Sequence, residues 1–92
     1  MNTPKKIRVL IVDDSAMVRK ILSLGLSQDA GIEVIGTASD ARVAMHLVAQ
    51  DRPDVITLDL EMPNMDGLTF LRSYMKDAPI PTVVISSQTQ RS

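Results

Sequence analysis

The sequence has 92 residues, enough for one small domain, with 45% apolar and 23% charged residues and a net charge of −1 from ten basic and eleven acidic side chains. That balance excludes a disordered chain and the clustered basic surface that nucleic-acid binding requires. The absence of cysteine excludes disulfides and thiolate zinc sites. The longest apolar run, Val9 to Val12, is far too short to span a bilayer. Asp13 and Asp14 end it before a signal-peptide core could form, so a cytoplasmic protein without membrane insertion is expected. Lys5, Lys6 and Arg8 read as a solvated basic end that keeps the chain soluble.

Ile7 to Val12 is β-branched and nearly all apolar, which suits a strand buried on both faces of a parallel sheet. Asp13-Asp14-Ser15 ends it and supplies capping side chains for a helix. That helix carries Val18, Ile21, Leu22 and Gly25 at helical spacing, with Met17, Leu24 and Leu26 widening the stripe. Asp29-Ala30-Gly31 breaks it. Ile32 to Ala38 reads as a second strand, and Glu33 suits a sheet edge. Ser39 or Asp40 caps the next helix, where Ala41, Ala44, Met45 and Val48 repeat at i, i+3, i+4, i+7. The helix ends near Asp51, ahead of Pro53. A third strand runs from Val55 to Leu58 and ends at Asp59, followed by a turn-rich loop, Leu60 to Gly67. Leu68, Leu71 and Met75 mark the buried side of a third helix, with Asp66 as its cap. Pro79 and Pro81 bracket a turn into a fourth strand, Thr82 to Ser86, and the tail from Ser87 is polar.

The order βαβαβαβ calls for right-handed crossovers and a doubly wound parallel α/β sheet. Ligands of such sheets bind beyond the carboxyl ends of the strands. Asp13 and Asp14 close the first strand here and Asp59 closes the third. Should those strands be neighbours, three carboxylates share one crevice. Two carboxylates about 4 Å apart repel by about 4 kcal/mol at an effective dielectric near 20. A hard divalent cation such as Mg²⁺ removes that cost and can hold a phosphoryl oxygen during an in-line displacement. A carboxylate is also a competent nucleophile for phosphoryl transfer. The chemistry does not say which of the three attacks.

Four blocks bear on that choice: Val12-Asp13-Asp14-Ser15, Leu58-Asp59-Leu60-Glu61-Met62-Pro63, Met65-Asp66-Gly67 and Ile85-Ser86-Ser87. Together, from about Ile7 to the end, they resemble the receiver domains of two-component response regulators. The resemblance implies a flavodoxin-like sheet of order 2-1-3-4. It also implies Asp59 as phosphoryl acceptor and Mg²⁺ on Asp13, Asp14, Asp59 and the backbone carbonyl of Glu61, with Asp13 acting mostly through water and charge. Ser86 becomes the hydroxyl that senses the phosphoryl group. The wording of Asp13 to Arg19, Leu58 to Pro63, Asp66 to Leu71 and Ser86 to Thr89 is similar to the chemotaxis-specific protein-glutamate methylesterases of the CheB type.

In that family a receiver precedes an esterase domain and phosphorylation relieves inhibition. The implied partners are a histidine kinase or a small acyl phosphate as donor, with the esterase domain and chemoreceptors in the full-length protein. Residues 1–92 are then expected to be a partial receiver with no esterase activity of its own. The last helix-strand-helix, with the lysine that pairs with the phosphoryl group in that family, is missing from it, so the acid crevice is expected to bind a cation while phosphorylation is impaired. An unprotected fourth-strand edge, Val83-Val84-Ile85, is expected to favour a homodimer.

Three rivals stand beside this reading. One is a fragment of a single-domain or other receiver. Another is an aspartate-nucleophile phosphohydrolase, although Asp59-Leu60-Glu61 offers Glu where such enzymes want a second Asp. The third is a flavodoxin-like nucleotide binder, although no Gly-rich loop follows the first strand. His46 reads as a surface residue of the second helix. Phe70 and Tyr74 read as packing residues, and Ser86 and Ser87 lack a histidine partner for nucleophilic catalysis.

Overall fold

A computed structural model describes residues 5–62, 67–76 and 78–85. The elements are β1 (Ile7–Val12), α1 (Ala16–Ser27), β2 (Ile32–Ala38), α2 (Ala41–Gln50), β3 (Val55–Asp59), α3 (Gly67–Met75) and β4 (Thr82–Ile85). The strands form one parallel sheet in the order β2-β1-β3-β4. The chain therefore steps outward from β1 to β2 and then crosses back over β1 to β3. A right-handed crossover in each direction puts α1 and α2 on opposite faces. Glu33 lies on β2, an edge strand, and is exposed as its charge requires.

Local chemistry fixes the element boundaries. Ser15 is extended (φ −85°, ψ 118°), and its Oγ accepts the Val18 N–H at 3.2 Å, which starts α1. Asp40, rather than Ser39, caps α2 by accepting the Val43 N–H at 2.9 Å. Asp29 Oδ1 takes the Gly31 N–H at 2.7 Å and turns the chain from α1 into β2. Between Val9 and Leu10 the β1–β2 register slips by one residue, so Val9 faces Val34 and Leu10 faces Gly36.

Leu10, Val12, Ile56 and Leu58 point to one face and pack with Ala44 of α2, Phe70 of α3, Met62 and Ile80. The opposite pleat carries Val9 and Ile11, both buried on the α1 side. Two helical stripes sit differently from their sequence reading. On α1, Val18, Leu22 and Leu26 are half-buried, while Met17, Ile21 and Leu24 are 71%, 61% and 60% exposed, and Gly25 is exposed too. Leu68 and Met75 of α3 are exposed, and the helix anchors through Phe70 and Tyr74. Their rings meet edge to face at 5.0 Å, and the Tyr74 hydroxyl pairs with Thr82 Oγ1 at 2.6 Å. Met45 is likewise exposed, with Ala44 and Leu47 turned inward.

The pole opposite the strand ends is tied by two arginines. Arg8 pairs with Asp51 and donates from Nη1 to Arg52 O at 2.8 Å, and its N–H donates to Asp54 Oδ2 at 2.9 Å. Arg52 Nη2 donates to both Ala78 O and Pro79 O at 2.8 Å. Lys5 and Lys6 are exposed as expected, but Arg8 is a structural tie rather than part of a solvated end.

Replacing buried Phe70 by leucine should therefore cost about 1–2 kcal/mol of unfolding free energy, whereas Leu68→Ala should cost under about 1 kcal/mol. Urea denaturation of the two variants checks the order. The reverse order would restore the face assigned from sequence periodicity.

Candidate functional site

β1 and β3 are neighbours with Val12 opposite Leu58, so the residues after β1 and at the end of β3 emerge side by side. Side-chain oxygens of Asp13, Asp14 and Asp59 all lie within 4.8 Å of one another. Asp13 and Asp59 are each 2% exposed, and Asp14 faces solvent. Octahedral Mg²⁺ at about 2.1 Å sets its ligands about 3 Å apart at adjacent corners and about 4.2 Å apart at opposite ones. Three hard oxygen donors at the observed spacing, one of them open to water, fit such an ion after slight closure.

Backbone donors hold the acids in place. Asp13 Oδ1 accepts the Ser15 N–H at 2.8 Å, and Asp59 Oδ1 accepts the Glu61 N–H at 2.9 Å. The second bond brings the Glu61 main chain against Asp59, while the Glu61 side chain is exposed. Arg19 Nη1 donates to the main-chain oxygen of Asp13 at 2.7 Å. Burial pushes the Asp13 carboxyl above its ordinary range. The Ser15 N–H opposes that shift, Asp59 and Asp14 add to it, and Arg19 counters it. Ser86 and Asp66 fall outside the described residues. His46 is exposed on α2, as its sequence reading has it.

Two residues near the site had no role in the sequence reading. Arg19 stands six residues beyond Asp13, and only the closed turn shows that it reaches back. Thr57 lies two residues before Asp59 on the same face of β3. Its Oγ1 is buried without a hydrogen-bond partner among the described residues. A threonine in a strand carries no sequence signal for that.

A parallel sheet with acids gathered at adjoining strand ends defines a class of doubly wound α/β protein whose ligands are held in the crevice beyond those ends. Residues 9–92 match the response regulator receiver domain family, and the chain belongs to it. A protein-glutamate methylesterase/protein-glutamine glutaminase of Cereibacter sphaeroides is 69% identical over 85 residues, which are 92% of this chain and 23% of that protein. The response regulator domain of Thermotoga maritima CheB superposes with a TM-score of 0.84 at 40% identity, covering 96% of this chain and 66% of that one. A Borrelia burgdorferi chain from a CheX–CheY–BeF₃–Mg²⁺ complex does so at 0.79 and 33% identity, covering 95% and 66%. The chain is thus a receiver domain of the CheB type, and it spans under a quarter of that methylesterase relative.

The raised carboxyl of Asp13 gives a signed pH dependence. The folded chain keeps that proton to higher pH than the unfolded one. The contribution therefore favours folding at low pH and is lost as pH rises from the ordinary value of 3.8 through the raised one. Without divalent cations at pH 7, Asp13→Asn should raise the unfolding free energy by about 1–2 kcal/mol, and the gain should vanish near pH 4. Urea titrations at the two pH values check this. A variant less stable than the parent at pH 7 would contradict it.

Proposed function

We propose that this chain is the phosphoacceptor module of a chemotaxis response regulator, with Asp59 as acceptor. The observation that carries the reading is the convergence of two buried carboxylates and one exposed carboxylate at the β1 and β3 ends. The other Asp59 oxygen, Oδ2, forms the new O–P bond as the phosphorus–nitrogen bond to a donor imidazole breaks, and the imidazole keeps a proton. Mg²⁺ bound by Asp13, Asp14, Asp59 and the Glu61 carbonyl would neutralise charge on the phosphoryl oxygens. The chain's own contribution is placement: the Ser15 and Glu61 N–H groups hold the two buried carboxylates facing each other. Ser86 is the hydroxyl assigned to sense the phosphoryl group.

The donor is a histidine kinase of the chemotaxis system or a small acyl phosphate, and the site of action is the cytoplasm. Among the described residues no helix is long and apolar enough to cross a membrane. In a full-length protein like the Cereibacter relative, we assign residues 1–92 as a partial receiver that governs an esterase domain acting on chemoreceptors.

Incubation with acetyl phosphate and Mg²⁺, read by intact mass, should add one phosphoryl group to the chain or to a longer form of it, and Asp59→Asn should add none. Mg²⁺ alone should raise the melting temperature of the parent, and Asp59→Asn should lose most of that rise. Turnover of a model phosphate ester without a stable adduct would favour a phosphohydrolase instead.

A homodimer through β4 is supported by one observation. Among the described residues β4 pairs only with β3, and Val83 and Val84 are 54% and 47% exposed on its two faces. Light scattering of the 92-residue polypeptide at high concentration should report a dimer, and Val84→Lys should return it to a monomer. A monodisperse parent monomer excludes this assembly.

A further inference from the structure

The first turn of α1 carries a half-buried cation whose geometry is specific. β1 stops at Val12, although the Asp13 N–H still reaches Ala38 O on β2 at 3.0 Å. The Asp13 carbonyl lies beyond the strand, where it takes Arg19 Nη1 at 2.7 Å. The Arg19 N–H donates to Ser15 O at 3.0 Å. The bond to Ser15 is the first main-chain bond of the helix, which any residue at 19 would make; the side chain of Arg19 adds the hold on Asp13, at the start of the Asp13-Asp14-Ser15 turn. The Asp13 carboxylate on Ser15 N–H and the Ser15 hydroxyl on Val18 N–H complete the same closed set.

We propose that Arg19 is a positioning residue for cation binding: it holds the Asp13-Asp14-Ser15 turn so that the Asp13 and Asp14 carboxylates converge on Asp59 before the ion arrives. The proposal deepens the phosphoacceptor reading above and rests on its cation site. Charge and positioning act here with opposite signs. A guanidinium whose charge is felt at the Asp13 carboxylate repels an incoming cation, so on charge alone its removal tightens Mg²⁺ binding. A turn left ungripped must be ordered as the ion binds, so on positioning its removal weakens binding. The direction of the change separates the two.

The test is a Mg²⁺ titration of the whole 92-residue chain, followed by backbone amide NMR shifts, for the parent, Arg19→Gln and Arg19→Lys. Arg19→Gln should raise the Mg²⁺ Kd about tenfold, the usual scale for losing a group that orients metal ligands. Arg19→Lys, which keeps a charged donor on a long stem, should stay within about threefold. Urea denaturation without Mg²⁺ records any general loss of stability separately, and a purely architectural role would lower that stability while leaving the Kd unchanged. Arg19→Gln binding as tightly as the parent, or tighter, overturns the proposal alone. Should Arg19→Gln fail to fold, the parent decides it: a guanidinium held on Asp13 O shows slow rotation and separate Nη signals at low temperature, and averaged signals overturn the grip. A parent that binds no Mg²⁺ overturns the cation site first and this proposal with it.

Discussion

The pairing of β1 with β3 is the constraint on which the rest of this molecule depends. Val12 sits opposite Leu58, so the chain must leave both strands at the same height and release Asp13 beside Asp59. Nothing local forces that meeting, because 46 residues separate the two acids in the sequence. The meeting follows from the crossover geometry. The chain steps from β1 to β2, then back across to β3, and the reversal opens a crevice at the carboxyl ends. The apolar pairs Leu10–Ile56 and Val12–Leu58 make that register strong, since a slip of one residue would turn the buried side chains to the other face.

The two ends of the sheet are built on opposite electrostatic plans. At the amino ends, Arg8 and Arg52 lie across the loops that enter β3 and β4 and donate to main-chain carbonyls there. At the carboxyl ends, like charges are brought together, and among the described residues backbone N–H groups and Arg19 oppose the repulsion. A small domain has a thin stability margin, so the tied end helps it tolerate an untied one.

The strand positions, the capping acids and the acid crevice could be read from sequence because each is a short-range signal or a consequence of parallel topology. A β-branched run ending in Asp13-Asp14 gives a strand, its end and its chemistry together. The helix faces were harder. α1 carries apolar residues around much of its circumference, so a 3.6-residue period fits several arcs equally well, and only the β1–β2 surface selects Val18, Leu22 and Leu26. In α3 the aliphatic residues Leu68, Leu71 and Met75 satisfied the pattern. Leu71 packs against the core as that pattern has it, but Phe70 and Tyr74, read as packing residues, take the places of Leu68 and Met75: their rings meet edge to face and the Tyr74 hydroxyl finds Thr82 on β4. The arginine ties were invisible for a different reason: apart from the Arg8–Asp51 pair, their partners are main-chain carbonyls, which every residue type supplies.

Those carbonyl contacts also bear on how the site is built. A carboxylate can be directed by any nearby N–H, and Asp13 and Asp59 each use the one two residues ahead, a turn that Asp forms readily. Such turns fix the side chain relative to its own loop. They do not fix one loop relative to the other, and cation binding depends on that second relation. For Asp59 the loop is anchored by the buried Met62 that follows it. For Asp13 the corresponding anchor is polar, the guanidinium of Arg19 on the main-chain oxygen. One acid is thus held by apolar packing and the other by a charged hydrogen bond. On the β1 side of the crevice, the Arg19 side chain thus joins the Ser15 cap and the Asp13–Ala38 main-chain bond in holding the turn.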